Sequence, residues 1–348
     1  MIWYLCLLGA VALLSRLLPR KSYIWAMAGL QGLLLALRHP HLTGDLMKYH
    51  WLFSSGNPLS DWKNPGFSLL MFGFSKISGD DFQLFLVFLA LMVSLAVGIT
   101  LNRFCPRPWL GFWVWNCLGF YIGAFSAIKQ GLAMAMILLA HGGLEEGKFR
   151  KFLVFVGLAG IIHLPALIFL PAFFLTRFRF DGKMAAAYLV MGAVLWLLRG
   201  PAAELLASWD PAELPGAAAR PGGRFFLMVL ILAAGIFLRG TGDLAFSRLA
   251  HLMACAALLQ LLAVYGNLFT RLADYYFQFS ILFIPHIFEA PNGAILPFSG
   301  ENRRIFRALA AVCLAAFYYA ACLHADPAYS RDNYVNYQFF WEIREEGL

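Results

Sequence analysis

Charged residues are scarce in this chain. Asp, Glu, Lys and Arg make up only 13% of the 348 residues, whereas hydrophobic residues make up 61%. A soluble domain of this size usually carries about 25% charged residues. The deficit indicates that much of the surface faces lipid, and we expect an integral membrane protein that contacts membrane lipids.

The sequence also lacks the motifs of most metal, cofactor and hydrolase sites. It has no Walker A loop, no Gly-rich dinucleotide loop, no HExxH, no GxSxG and no Cys/His ligand spacing. Its 6 cysteines form no CxxC pair, and neither Asp-x-Asp nor Glu-x-Asp occurs. We therefore expect no disulfide framework, no metal site and no cofactor.

Apolar runs predict an all-α fold: a polytopic transmembrane bundle of about 11–13 helices, some of them short or re-entrant. The runs are 2–18, 22–37, 82–102, 109–126, 128–142, 151–163, 164–176, 184–198, 225–238, 246–266, 271–288 and 305–323. A membrane span needs about 20 residues, so several runs are short for a full crossing. We expect residues 1–348 to form a single integral membrane domain.

Two segments differ from simple spans. Segment 65–78 is apolar but short and begins with Pro65, which favours a re-entrant or interfacial helix. Segment 151–176 contains His163-Leu-Pro165, where proline breaks the helical hydrogen bonds and a titratable side chain at mid-bilayer is costly. We predict two half-length helices that meet at His163 in a water-filled cavity.

With these two choices, the basic loops fall on one side of the membrane. The predicted cytoplasmic loops are 16–21, 102–108, 143–151, 177–183, 239–248 and 290–304. Nearly all hold two or three Lys or Arg residues, as the positive-inside rule prefers. The net charge of +8 is divided among such clusters, which favours topology signals over a nucleic-acid surface.

The opposite, extracytoplasmic side holds most of the candidate functional residues. Loop 38–64 places Asp45 and Tyr49 at i, i+4 spacing, although an interfacial amphipathic loop explains them equally well. Lys129 and Gln130 begin a helix, which suits an anion, and a lysine reaching the headgroups is the alternative. His163 is flanked by apolar residues, so it needs a polar partner and is a candidate base.

A second group of candidates lies near residue 271. Arg271 and Asp274 are three residues apart on a helix and can pair with each other, which is the structural interpretation. An arginine beside Tyr275 and Tyr276 also offers the bidentate donor and the hydroxyls that a phosphate needs.

Two flanking segments belong to the same side. The extracytoplasmic loop 199–224 adds Arg220 and Arg224, and acts as a flexible lid or as a spacer. The C-terminal tail, 324–348, is rich in aromatic and amide side chains. Such residues stack on sugars or form an interfacial belt, and the sequence favours neither.

The order of these segments is similar to that of a known family. The chain carries Asp45 and Tyr49, Asn64-Pro-Gly-Phe67, Ala127-Ile-Lys129-Gln130-Gly-Leu-Ala133, Ala159 followed by His163-Leu-Pro165-Ala166-Leu167, and Arg271-Leu-Ala-Asp274-Tyr275-Tyr276. From residue 40 to residue 341 it resembles the EpsG-like family of bacterial exopolysaccharide polymerases, relatives of the Wzy-type repeat-unit polymerases. The family's usual Arg before Gln is Lys129 here, which keeps the charge and loses the bidentate fork.

The resemblance implies a metal-independent, GT-C-like glycosyltransferase of the bacterial cytoplasmic membrane. It would polymerise undecaprenyl-diphosphate-linked repeat units into exopolysaccharide, capsule or O-antigen-type polymer at the outer leaflet. Its implied partners are the lipid-linked glycan donor and acceptor and other polysaccharide-assembly membrane proteins. The alternatives are a transporter of lipid-linked oligosaccharide or polysaccharide (a flippase or exporter) and a ligase that transfers a glycan once. Transporters usually show two related halves, and no such halves are visible in the sequence.

In this interpretation, cations replace a metal at the departing lipid diphosphate. Arg271, with Lys129 and either Arg220 or Arg224, neutralises the diphosphate. His163 or Asp45 orients or deprotonates the acceptor hydroxyl. Asp274 positions Arg271.

Overall fold

The computed structural model describes residues 2–57, 64–201, 221–291, 294–295, 300–324 and 337–342, the last four residues of the 300–324 segment by their backbone alone. This part of the chain holds 16 α-helices, two 3-10 helices and one isolated bridge between Arg38 and Phe339, and no strand. The all-α prediction is therefore confirmed for the described residues.

The first eight helices run to the middle of the chain. They are α1 (Ile2–Leu17), α2 (Arg20–Ala36), α3 (Gly44–Ser54), α4 (Pro65–Ser78), α5 (Phe82–Phe104), α6 (Pro108–Cys117), α7 (Phe120–Ser126) and α8 (Ile128–Glu146). The other eight are α9 (Phe149–Ile162), α10 (Ala172–Leu175), α11 (Gly182–Leu197), α12 (Gly223–Leu238), α13 (Leu244–Leu261), α14 (Asn267–Phe277), α15 (Ser280–Ile287) and α16 (Gly300–His324). The 3-10 helices are Leu164–Phe169 and Leu262–Tyr265.

Polar and glycine residues set many of the helix ends. The carboxylates of Asp81, Asp181 and Asp243 accept hydrogen bonds from the first backbone N–H groups of α5, α11 and α13. Gly79 and Gly147 end α4 and α8 with φ angles of +64° and +68°, a conformation that favours glycine. In an apolar chain these caps satisfy backbone groups that lipid cannot.

The predicted runs 109–126 and 271–288 are not single helices, and these two divisions, with α3 in loop 38–64, bring the described α-helices to 16, above the predicted range of about 11–13. The first is divided into α6 and α7 at Gly119, whose φ of +83° ends regular helical geometry. The second is divided into α14 and α15 at Gln278–Phe279, where the sequence has no glycine or proline. We find no sequence signal for this second break.

The predicted interruption at His163 is confirmed, but the segment after it differs from the prediction. α9 ends at Ile162, and His163 is extended, with φ of −148° and ψ of 102°. Residues 164–176 then form a 3-10 turn and the four-residue α10 instead of a half-length α-helix. The reason is Pro171 in the middle of this segment, whose missing N–H prevents a continuous α-helix, whereas Pro165 begins the 3-10 turn after the break at His163.

The six loops predicted to be cytoplasmic meet at one end of the bundle. The first three loops are linked by hydrogen bonds from Arg20 to the carbonyls of Asn102, Cys105 and Pro106 and by the ion pair of Arg103 with Glu146. The next two loops join them through Arg177 and the carbonyl of Gly147, Thr241 and the carbonyl of Phe180, and Arg248 and Glu145. The last loop is joined through Glu289, which contacts both Arg107 and Arg303. This shared end is the arrangement that the alternating topology requires.

Apolar surface remains exposed on several helices. Among the described residues, two helical segments are long and apolar enough to cross a membrane, Phe82–Phe104 and Leu244–Tyr265. Both are more than half buried, so length and composition alone are weak support. α11 is more informative because it is apolar after Lys183 in its first turn and has no buried residue, with Leu189 75% exposed and Leu197 74% exposed. Such a helix suits lipid better than water.

The predicted candidates lie at the other end of the bundle. Loop 38–64 contains α3, and the helix predicted at 65–78 has the same bounds in the structure as α4. The described part of the tail, residues 337–342, returns to the end of α2, where the Tyr337 hydroxyl donates to the carbonyl of Leu34 at 2.7 Å. The re-entrant placement of α4 and the role of the tail stay predictions.

Candidate active site

The Asp274 carboxylate on α14 joins three helices. Its Oδ1 accepts a hydrogen bond from the guanidinium of Arg224, the second residue of α12. Its Oδ2 lies 3.4 Å from the amide nitrogen of Gln130, in the first turn of α8. The same amide nitrogen lies 3.5 Å from the carbonyl oxygen of Arg271. Residues that are more than 140 positions apart therefore meet at one carboxylate.

A cavity of about 350 Å³ opens beside this group. Its polar wall comes from the starts of α8, α12 and α14: Gln130, Arg224, Asn267, Thr270, Arg271 and Asp274. Its other wall is apolar and comes from α6, α7 and the start of α8: Trp115, Leu118, Gly119, Phe120, Gly123, Ala124, Ala127, Gly131 and Met134. The cavity is therefore amphipathic.

The charge of the polar wall favours an anion. Arg224 and Arg271 bring two positive charges, and Asp274 brings one negative charge. Arg224 and Asn267 also lie in the first turns of α12 and α14, where unpaired N–H groups and the helix dipole attract negative charge. A phosphate-bearing ligand matches this wall, because arginine binds phosphate oxygens in bidentate fashion.

The ion pair in this site joins Asp274 to Arg224 rather than to Arg271. The sequence predicted that Asp274 positions Arg271, its neighbour on the same helix. In the structure the Arg271 side chain is exposed on the cavity wall, and Asp274 holds the arginine that reaches it from α12. Asp274 therefore has a different positioning partner from the predicted one.

His163 has the polar partner that its apolar surroundings require. Its Nδ1 lies 2.5 Å from the hydroxyl oxygen of Tyr275, and both side chains are buried. The Tyr276 hydroxyl donates to the carbonyl of Ile168 at 2.7 Å, in the 3-10 turn after His163. His163, Tyr275 and Tyr276 do not line the amphipathic cavity, so α14 presents one face to the cavity and another to the His163 segment.

Lys129 and Gln130 are turned to different neighbours. The Lys129 ammonium lies 5.7 Å from the centroid of the Tyr49 ring, whereas Gln130 faces Asp274. Tyr49 is buried, and its ring meets that of Phe67 edge to face, with centroids 5.5 Å apart. Asp45 is exposed in the first turn of α3. The structure thus brings Lys129 to Tyr49 and places neither on the cavity wall.

Several residues of this region were missed by the sequence-based predictions. Asn267 and Thr270 line the cavity with Arg271 and Asp274. These four positions have the spacing i, i+3, i+4 and i+7 of a single helical face, so the helical period was the available signal. Asn64 was also missed as a site residue: its Oδ1 accepts a hydrogen bond from the backbone N–H of Leu164 at 3.1 Å.

Some predictions lie outside the described residues. Arg220 is among them, as are residues 202–220 of loop 199–224 and residues 325–336 and 343–348 of the tail. Their predicted roles remain predictions.

The fold and the site together define a class: an all-helical protein with apolar outer faces and an amphipathic cavity suited to an anionic ligand. The EpsG family model matches residues 24–339, nearly the whole chain, and the chain belongs to the EpsG family. This membership indicates a polysaccharide polymerase of the glycosyltransferase type. Comparison with curated proteins and with solved structures gives no match.

Proposed function

We propose that this protein is a GT-C-like glycosyltransferase that joins undecaprenyl-diphosphate-linked repeat units into a polysaccharide at the outer leaflet of the bacterial cytoplasmic membrane. The observation that carries the proposal is the amphipathic cavity, where Arg224 and Arg271 stand beside Asp274 in an EpsG family member. The six joined loops are rich in Lys and Arg, which under the positive-inside rule supports an extracytoplasmic position for the opposite end.

The two guanidinium groups of the cavity stabilise the leaving group. When the bond between the donor sugar and the lipid diphosphate breaks, negative charge develops on the diphosphate oxygen. Arg224 is held by Asp274 before this happens, so part of the positive charge is already in place. Such preorganised charge is usually the largest single contribution to catalysis of this kind.

The acceptor side requires a base. The acceptor oxygen forms a bond to the anomeric carbon, the diphosphate leaves with the electron pair of the broken bond, and the hydroxyl proton passes to the base. We assign this role to His163, because its Nδ1 is within hydrogen-bond distance of the Tyr275 hydroxyl and the tautomer that donates from Nδ1 carries its lone pair on Nε2. Asp45, the other candidate, is exposed in the first turn of α3.

The proposal distributes the two lipid-linked substrates over the two faces of α14. The donor diphosphate lies at the cavity face, and the acceptor lies at the face of His163. Lys129 and Tyr49, which contact each other, border the acceptor side. Other polysaccharide-assembly membrane proteins would deliver the substrates and receive the polymer.

The test uses purified protein in nanodiscs with a synthetic undecaprenyl-diphosphate-linked repeat unit, and products are sized by mass spectrometry. Wild-type protein is expected to give a ladder of longer lipid-linked glycans. Arg271→Ala is expected to lower the rate roughly 100-fold, because it removes one preorganised cation. Arg150→Ala is the matched control, since Arg150 is an exposed arginine in the first turn of α9, at the other end of the bundle.

Two results contradict the proposal. One is a single addition without a ladder, which identifies a ligase. The other is an Arg271→Ala variant that forms the ladder as fast as Arg150→Ala does, because the cavity would then have no part in the reaction.

A further inference from the structure

The apolar wall of the cavity has an unusual composition. Five of its members are Gly or Ala, contributed by the turn before α7, by α7 itself and by the N-cap and first turn of α8: Gly119, Gly123, Ala124, Ala127 and Gly131. Trp115, Leu118, Phe120 and Met134 complete the wall. Small side chains leave room, and the larger ones make that room apolar.

Gly123 is the informative member of this wall. It lies inside α7, is exposed, and a Cβ added to it would meet no heavy atom within 4 Å. Glycine weakens a helix relative to alanine, so helix stability does not explain it. Packing within the chain does not explain it either. The room that Gly123 leaves is part of the cavity itself.

We infer that the apolar wall around Gly123 binds the isoprene units next to the diphosphate of the lipid carrier. This inference rests on the proposed function and assigns a further part of the same cavity. The diphosphate lies against Arg224 and Arg271, and the hydrocarbon attached to it continues onto the facing apolar wall. The cavity volume of about 350 Å³ lies within the range of about 300–1,000 Å³ that is usual for small-molecule pockets.

One consequence concerns the part of the substrate that the cavity recognises. Contacts to the diphosphate and to the first isoprene units are independent of the sugar. The donor and the released carrier therefore share this part of the site, and polyprenyl diphosphate is a product inhibitor that competes with the donor. Inorganic pyrophosphate, which lacks the hydrocarbon, is a much weaker inhibitor.

The test compares two probes that carry no sugar, farnesyl diphosphate and inorganic pyrophosphate, by calorimetric titration of the full-length protein in detergent. Wild-type protein is expected to bind farnesyl diphosphate at least about tenfold more tightly, because burial of each methylene group contributes to affinity. Gly123→Leu fills the open space and is expected to remove this difference while its affinity for pyrophosphate stays unchanged. Gly73→Leu is the matched control, since Gly73 is an exposed glycine inside α4 whose added Cβ also meets nothing within 4 Å.

Three results overturn the inference. Wild-type protein that binds both probes equally would show that the wall does not bind hydrocarbon. Gly123→Leu that weakens both probes equally would show a general distortion of the cavity, and an unchanged preference in that variant would place the hydrocarbon elsewhere. Because this titration contains no glycan, its failure leaves the polymerisation assay intact, and failure of that assay leaves the binding result intact.

Discussion

Consecutive residues of α14 serve different parts of the site. Asp274 holds Arg224 at the cavity, and the next residue, Tyr275, contacts Nδ1 of His163 on another face of the helix. This division results from the helical turn of about 100° per residue. A substitution at Tyr275 should therefore change proton transfer by His163, the proposed base, without changing how the cavity binds the proposed diphosphate.

Tyr275→Phe tests this division because it removes one hydroxyl and keeps the ring. His163 then loses the partner that fixes its orientation. We expect kcat for polymerisation to fall roughly tenfold, since one buried hydrogen bond is worth about 1 kcal/mol or somewhat more. The KM for the lipid-linked donor is expected to stay unchanged. Steady-state kinetics with the synthetic repeat unit measure both quantities.

The chain offers a matched control for this variant. The Tyr188 hydroxyl lies 2.9 Å from Nδ1 of His251, a second tyrosine–histidine pair that is joined to the end with the basic loops. Tyr188→Phe should leave kcat unchanged. If both variants lower kcat equally, the His163–Tyr275 pair has no special part in the reaction.

At the scale of the element, α4 fixes the segment that carries His163. Its N-cap residue Asn64 accepts the hydrogen bond from Leu164, and Gly66 lies directly against Ile161. A Cβ on Gly66 would lie 2.2 Å from Cγ2 of Ile161 and 2.9 Å from its carbonyl oxygen. α4 can approach α9 this closely only because residue 66 has no side chain.

Gly66→Ala and Gly73→Ala form a pair on the same helix. We expect Gly66→Ala to destabilise the protein by about 1–3 kcal/mol, because the added methyl group must push α9 away. Gly73→Ala has open space and should stabilise α4 by about 0.5–1 kcal/mol. Thermal unfolding in detergent, followed by circular dichroism, compares the unfolding temperatures of the wild type, Gly66→Ala and Gly73→Ala. A Gly66→Ala variant as stable as the wild type would contradict the close contact.

The same elements show how far the sequence determines this fold. Pro65 and Gly79 give the bounds of α4, and Pro165 gives the interruption at His163, because these residues act on the local backbone. The break between α14 and α15 depends on no such residue. Likewise, the ion pair joins two residues on different helices, Asp274 and Arg224, that are 50 positions apart in the sequence. Sequence spacing favoured the nearby Arg271 as the partner of Asp274, because spacing along one helix does not show which distant helix packs against α14.

At the scale of the whole molecule, charge is concentrated at the end where the basic loops meet. Glu146 accepts hydrogen bonds from Lys151, Lys148 and Arg103, and these bonds lower the pKa of its carboxyl to about 2. One carboxylate thus joins three cations, from the last turn of α5, the N-cap of α9 and the first turn of α9. Without this carboxylate, the positive charges of Lys148, Lys151 and Arg103 would repel one another.

The lowered pKa of Glu146 predicts a dependence of stability on pH. A carboxyl whose pKa is lower in the folded than in the unfolded state stabilises the fold above the unfolded pKa of about 4.3, and this stability is lost as pH falls toward 2. Glu146→Gln should lower the unfolding temperature at pH 7 and flatten its decline between about pH 5 and pH 2. Glu301→Gln, at an exposed position in the first turn of α16, is the control. A decline that is equally steep in both variants would contradict the role of Glu146.

The orientation of the molecule can be measured in intact cells with a maleimide that does not cross the membrane. In a variant without the native cysteines, Trp51→Cys should react, because residue 51 is 70% exposed on α3 at the end of the candidate site. Lys148→Cys, at the end with the basic loops, should react only after the cells are opened. The reverse pattern would place the candidate site in the cytoplasm and contradict the proposed function.

The most direct test of the central claim is to count products during one reaction of the wild-type protein. The amount of undecaprenyl diphosphate released is compared with the number of new glycosidic bonds in the glycan ladder. A polymerase that uses the cavity for its leaving group should release one undecaprenyl diphosphate for each bond formed. Lipid-linked substrate that crosses a liposome membrane while neither bonds nor free carrier are formed would contradict the claim and identify a transporter.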